Sequence, residues 1–99
     1  MPETQPSPHP PERDDRVLDE TLADGSLVLF HTATRELLTL NPTAALVWEL
    51  CDGQHGEGAI VAEVQAVFPD AAGIATDVQT ILIDLRSRSM LRPAPAAES

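Results

Sequence analysis

The chain has 99 residues and a formal net charge of −10, with six arginines and no lysine. That length allows one small domain. The charge argues against a protein that grips nucleic acid, since displacing counterions from phosphates needs a clustered basic face.

Five of the nine prolines (Pro2, Pro6, Pro8, Pro10 and Pro11) lie in the first fifteen residues, and Pro93 and Pro95 lie in the last seven. Such segments bury too little apolar surface to offset chain entropy, so 1–15 and 93–99 are expected to be disordered tails around a folded 16–92. Within 16–92 eleven acids stand against five arginines, so the acidity belongs to the domain itself. Arg86, Arg88 and Arg92 cluster late and are expected to complement a helix C-terminus. The N-terminus is polar and proline-rich, unlike a signal peptide, and no apolar run approaches the ~20 residues needed to cross a bilayer. A cytoplasmic protein without membrane contact is expected.

In chain order, Val17 to Leu22 predicts a weak first strand, because Asp19 and Glu20 interrupt it. Asp24-Gly25 predicts a two-residue hairpin turn with positive φ at both positions. Ser26 to His31 predicts a second strand, apolar on both faces through Leu27/Leu29 and Val28/Phe30. Thr32 to Arg35 reads as a turn and Glu36 to Leu40 as a third strand, which together make an antiparallel meander. Asn41 then caps a helix from Pro42 to Cys51, with proline at N1 where its missing N–H costs nothing. Ala44, Val47, Trp48 and Cys51 share one helical face and Leu46 and Leu50 the opposite one, the pattern of a helix buried between other elements. Asp52 to Gly58 holds three glycines and reads as a loop. Ile60, Val61, Val64, Val67 and Phe68 then fall on one face of a second helix, with Glu63 and Gln65 outward. A third helix spans Ile74 to Ser87, with Ile74, Val78, Ile81, Leu82 and Leu85 inside and Ile83 outside, and Leu91 closes the base of the core. The order βββααα predicts an α+β, winged helix-turn-helix-like domain: a three-stranded antiparallel meander followed by three helices.

No constellation for catalysis emerges. His9, His31 and His55 are the only imidazoles, and none has a second ligand at metal spacing, so no metal and no cofactor is expected. Cys51, the only cysteine, lies on the apolar face of the central helix and reads as a small buried hydrophobe rather than a nucleophile. Asp52-Gly53 is a helix-ending pair rather than an acid–base residue. The glycine-rich D-G-Q-H-G-E-G lacks the lysine and preceding strand of a phosphate loop. The chain reads as a non-enzyme.

Binding features are stronger. A three-stranded meander leaves two edges whose backbone groups must be covered, charged or used. Glu36 to Leu40 carries one charge and precedes a helix that anchors it, so an extended peptide can add there as a fourth strand. The same edge can equally be covered by the tail or pair with a second copy as a homodimer. Ile83 is a further contact surface or simply one exposed isoleucine.

The residues Asp24-Gly25, Leu40-Asn41-Pro42-Thr43-Ala44 and Val47-Trp48-Glu49-Leu50-Cys51-Asp52-Gly53 carry a resemblance, joined by Val61, Val64, Asp77-Val78 and Leu82 to Leu85. Over roughly 17–92 the chain resembles the pyrroloquinoline quinone synthesis protein D (PqqD-like) family, small peptide-binding domains also called RiPP recognition elements. The pattern L-N-x-T-A-x-x-x-W-x-L-x-D-G is quite specific. The resemblance implies a scaffold that binds the leader of a ribosomally made precursor peptide by strand addition. It also implies presentation of that leader to a modifying enzyme, of the radical S-adenosylmethionine, protease or cyclase type. It places the peptide in a groove walled by Glu36, Leu37, Leu38, Thr39 and Leu40 on one side and by Asp77, Val78, Ile81 and Arg88 on the other. A winged-helix regulator, or a domain that docks on an enzyme without taking a leader, is the alternative class.

Overall fold

A computed structural model describes residues 10–92; the expectations for 1–9 and 93–99 lie outside the described residues. Strands β1 (Val17–Thr21), β2 (Leu27–His31) and β3 (Leu37–Leu40) precede helices α1 (Pro42–Leu50), α2 (Glu57–Val67) and α3 (Ile74–Ser87). The sheet is antiparallel in the order β1-β2-β3. The expected α+β winged-helix-like architecture is therefore present.

Turn chemistry sets the register. The β1–β2 connection is not the expected two-residue turn, because among Asp24 and Gly25 only Gly25 has a positive φ, of 89°. Gly25 N–H donates to the Leu22 carbonyl at 3.1 Å and Leu22 N–H to the Ser26 carbonyl at 2.8 Å, so three residues (Ala23 to Gly25) make the loop. Asp24 instead accepts the Ser26 N–H at 2.9 Å through its carboxylate, which holds it out of the left-handed region. At the β2–β3 turn Arg35 takes φ 68°. The buried His31 braces this turn, its Nδ1 accepting the N–H groups of Ala33 and Thr34 at 3.1 and 3.2 Å.

The core lies between the inner face of the sheet and the helices. Leu27 and Leu29 from β2 meet Val47 and Trp48 of α1, Ile60 and Val64 of α2, and Val78, Leu82 and Leu85 of α3. Asn41 caps α1 as expected, its Oδ1 accepting the Ala44 N–H at 2.9 Å. Leu91 closes the core, and Ile83 is exposed, both as the periodicity predicts. Val67, placed inward by the same periodicity, is exposed. The helix stops there, and the non-helical Phe68 turns to the core in its place.

Two other expectations are corrected. The stretch from Pro11 to Asp15, assigned to the tail, is laid on the domain. Arg13 N–H donates to the Cys51 carbonyl at 2.9 Å and Asp14 N–H to the Met90 carbonyl at 3.0 Å, so this segment runs between the ends of α1 and α3. Backbone pairing anchors it despite its proline-rich, charged composition. The late arginines, expected at a helix terminus, divide their roles. Arg86 sits in the last turn of α3, Arg92 pairs with Asp15 and Glu12, and Arg88 bridges Asp84 and Glu36.

This arrangement carries a pH prediction. Hydrogen bonds from the Arg16 guanidinium and N–H hold the buried Asp14 carboxyl well below the usual range. A bond with His55, then the Gln54 N–H, lower Asp52 from 3.8 to about 2. Both folded-state values lie below the unfolded ones, so their stabilisation is complete above the unfolded carboxylate pKa and is lost as pH falls. The urea midpoint is expected to drop from about pH 5 toward pH 2, and Asp14→Asn should flatten that drop. A midpoint independent of acid over this window would contradict the assignment.

Candidate functional site

β3 forms one edge of the sheet, and its backbone can be assigned group by group. His31 N–H donates to the Glu36 carbonyl at 3.0 Å, and beyond it Phe30 pairs with Leu37, Leu29 with Leu38 and Val28 with Thr39. Bonded and non-bonded pairs alternate along an antiparallel ladder. Leu38 and Leu40 therefore direct N–H and C=O toward β2, as Glu36 does its C=O while its N–H donates to Thr34 Oγ1 at 3.3 Å, and Leu37 and Thr39 direct theirs off the open edge. Among the described residues no hydrogen bond takes up these four groups.

Side chains alternate with the opposite consequence. Leu38 and Leu40 face the core side, where Leu38 is half-buried and Leu40 buried, while Leu37 and Thr39 stand exposed on the outer face. On α3, Asp77 is exposed to solvent and Ile81 is half-buried against the core. Val78, expected on this wall, is 0% exposed and belongs to the core. Leu40 is likewise a core side chain. The expected wall residues thus differ in exposure: Leu37, Thr39 and Asp77 are exposed, Leu38, Ile81, Glu36 and Arg88 are partly buried, and Leu40 and Val78 lie in the core.

Arg88 defines one end of the site. Its Nη1 donates to Glu36 Oε2 at 2.6 Å and its Nε to Asp84 Oδ1 at 3.1 Å, tying the start of β3 to the C-cap of α3. All three side chains are more than one-third exposed. Solvent screens such pairs, so Glu36→Gln is expected to lower unfolding free energy by less than about 1 kcal/mol, read from urea unfolding. A loss of about 2 kcal/mol or more would mean that the bridge carries the fold.

Sequence periodicity missed which β3 residues expose backbone, because strand pairing fixes that. The turn residues at 32–35 were the available signal. Cys51 is fully buried, burial pushes its thiol up to about 12, and its Sγ donates to the Val47 carbonyl at 3.2 Å. Among the described residues no three His, Cys, Asp or Glu side chains group as metal ligands, and no helix is long and apolar enough to cross a membrane.

Three antiparallel strands followed by three helices, with β3 at one edge of the sheet, define a winged-helix-like α+β domain. Residues 26–91 match the family model described as Coenzyme PQQ synthesis protein D (PqqD). The chain belongs to the PqqD family.

A protein of Kluyvera intermedia named PqqA binding protein is 40% identical over 63 residues, covering 64% of this chain and 65% of that one. A protein of the same name from Methylococcus capsulatus is 39% identical over 56 residues, covering 57% and 59%. The chain thus spans less than two thirds of the length of these relatives. Among solved structures, TbiB1 in complex with the TbiA(beta) leader peptide superposes with a TM-score of 0.71 at 21% identity, covering 82% of this chain and 94% of that one. Lasso peptide synthetase B1 complexed with the leader peptide gives 0.67 at 18% identity, covering 84% and 98%. At these identities the two structures establish a shared fold.

Proposed function

We propose that this domain is a non-catalytic scaffold that captures the leader segment of a ribosomally made precursor peptide as a fourth strand on β3. The observation that carries this reading is the outward N–H and C=O of Leu37 and Thr39 on the sheet edge, beside the half-buried Leu38 and next to Glu36, which Arg88 at the end of α3 grips. Relatives named for binding PqqA, and the fold shared with two leader-bound chains, support it. The captured leader is presented to a modifying enzyme of the radical S-adenosylmethionine, protease or cyclase type. The location is the cytoplasm, where such precursors are made.

Energetics determine what the leader must contain. Ordering each residue costs about 1–2 kcal/mol, while each backbone bond returns roughly 1 kcal/mol. Four edge groups cannot offset the ordering of five or six residues, so apolar side chains must supply the surplus. Basic residues suit the acidic domain.

A backbone-amide NMR titration tests the proposal, with synthetic PqqA and the two leader peptides of the superposed complexes as probes. Saturable shifts over 36–40 and along 77–88 are the expected result. Silence there at millimolar peptide, meaning binding weaker than about −4 kcal/mol, would overturn strand capture.

A further inference from the structure

Side chains on the outer face of the sheet stand in rows that end at the open edge. Leu18 pairs with Phe30 and Phe30 with Leu37, so three apolar residues form one row across all three strands. This row faces away from the core, with Leu18 59% and Leu37 64% exposed. The next row on that face is Glu20, Val28 and Thr39. Between them, on the core side, lies the row Asp19, Leu29 and Leu38.

A strand added to β3 lengthens each row by one residue, because cross-strand neighbours on one face stand about 4.5–5.5 Å apart. The residue beside Leu37 points outward and covers an apolar side chain that otherwise meets water. Its neighbour points inward beside Leu38, and the one after points outward beside Thr39. Bonds from Leu37 and Thr39 lock this register, since a slip by one residue exchanges the two faces.

We infer that the site selects its peptide on both faces at once, through two adjacent apolar residues, one outward on Leu37 and the next inward on Leu38. A polar or β-branched residue follows beside Thr39. The inference rests on the strand-capture reading and names its ligand more narrowly. A one-sided groove reads apolar residues at every second position, whereas this edge reads a consecutive pair, whichever way the strand runs. The outward residue gains its surface from Leu37 and, through it, from the Phe30 row.

The test begins with selection of binders from a displayed library of random ten-residue peptides. The best binder is then titrated into the full chain by fluorescence anisotropy and amide NMR. Serine substitution along that peptide should reveal two adjacent positions that each cost about tenfold in Kd. Leu37→Ser in the domain should cost a similar factor for the parent peptide and nothing further for the peptide already carrying serine at its outward position. Leu18→Ser, at the far end of the row, should leave Kd unchanged. Leu37 is exposed, and Leu37→Thr serves as a second variant should the serine protein not fold. Edge binders that shift Leu37 and Thr39 amides but need apolar residues only at alternating positions, with Leu37→Ser silent, would overturn the inference and leave strand capture standing. Binders that leave both amides unmoved, or no binders at all, would overturn both.

Discussion

A Thr39→Pro variant is expected to keep its fold and lose its peptide. Thr39 pairs with Val28 at a position where its N–H points off the edge, so proline removes no bond to β2. Proline is tolerated on an edge strand for that reason. The preceding residue must be extended, and Leu38 already is, lying inside β3. An incoming strand, by contrast, loses a donor worth about 1 kcal/mol and meets the pyrrolidine ring where its own carbonyl should sit. Affinity should fall by tenfold or more, on the order of the missing bond plus that clash. Thr39→Ala, which keeps the N–H, should bind nearly as well as the parent. Circular dichroism establishes the fold and anisotropy the affinity. Unchanged binding by a folded proline variant would show that the peptide does not use this edge.

The second large effect falls on stability. Trp48 is the largest fully buried side chain, and its Nε1 donates to Asp19 Oδ2 at 2.8 Å, linking α1 to β1. Truncating a buried tryptophan to alanine typically costs about 3–5 kcal/mol. A domain of this size has a core that supplies about 3–5 kcal/mol in all. Trp48→Ala is therefore expected to be largely unfolded at 25 °C, without a cooperative urea transition. Trp48→Phe, which retains most of the packing and loses the hydrogen bond, should remain folded with a loss of about 1–2 kcal/mol. An alanine variant that unfolds cooperatively near the parent midpoint would refute the central role assigned to this side chain.

The element order and most boundaries are legible because their signals are local. Asn41-Pro42 starts α1 through a side-chain acceptor and a preset φ, and α3 follows its apolar spacing from Ile74 to Ser87. That the third strand and the third helix wall a groove is what the resemblance implies. Which of their residues are exposed and which buried was not legible in full, since the resemblance put the buried Leu40 and Val78 on those walls.

Local chemistry was enough to specify the α1 cap, most of the helical faces and an open sheet edge. Four features depended on contacts between distant parts of the chain. Pro11 to Asp15 is held by carbonyls from the ends of α1 and α3, and composition carries no trace of such partners. Ile81, inward by periodicity like the buried Val78, is only half-buried because of how α3 rotates against α1 and α2, an angle to which periodicity is blind. Arg88 reaches Glu36, 52 residues away in the chain, instead of simply closing its own helix. Which of Leu37 and Leu38 turns its backbone groups off the edge, and which face each side chain takes, is decided by pairing with β2, because a one-residue shift in register would exchange their faces.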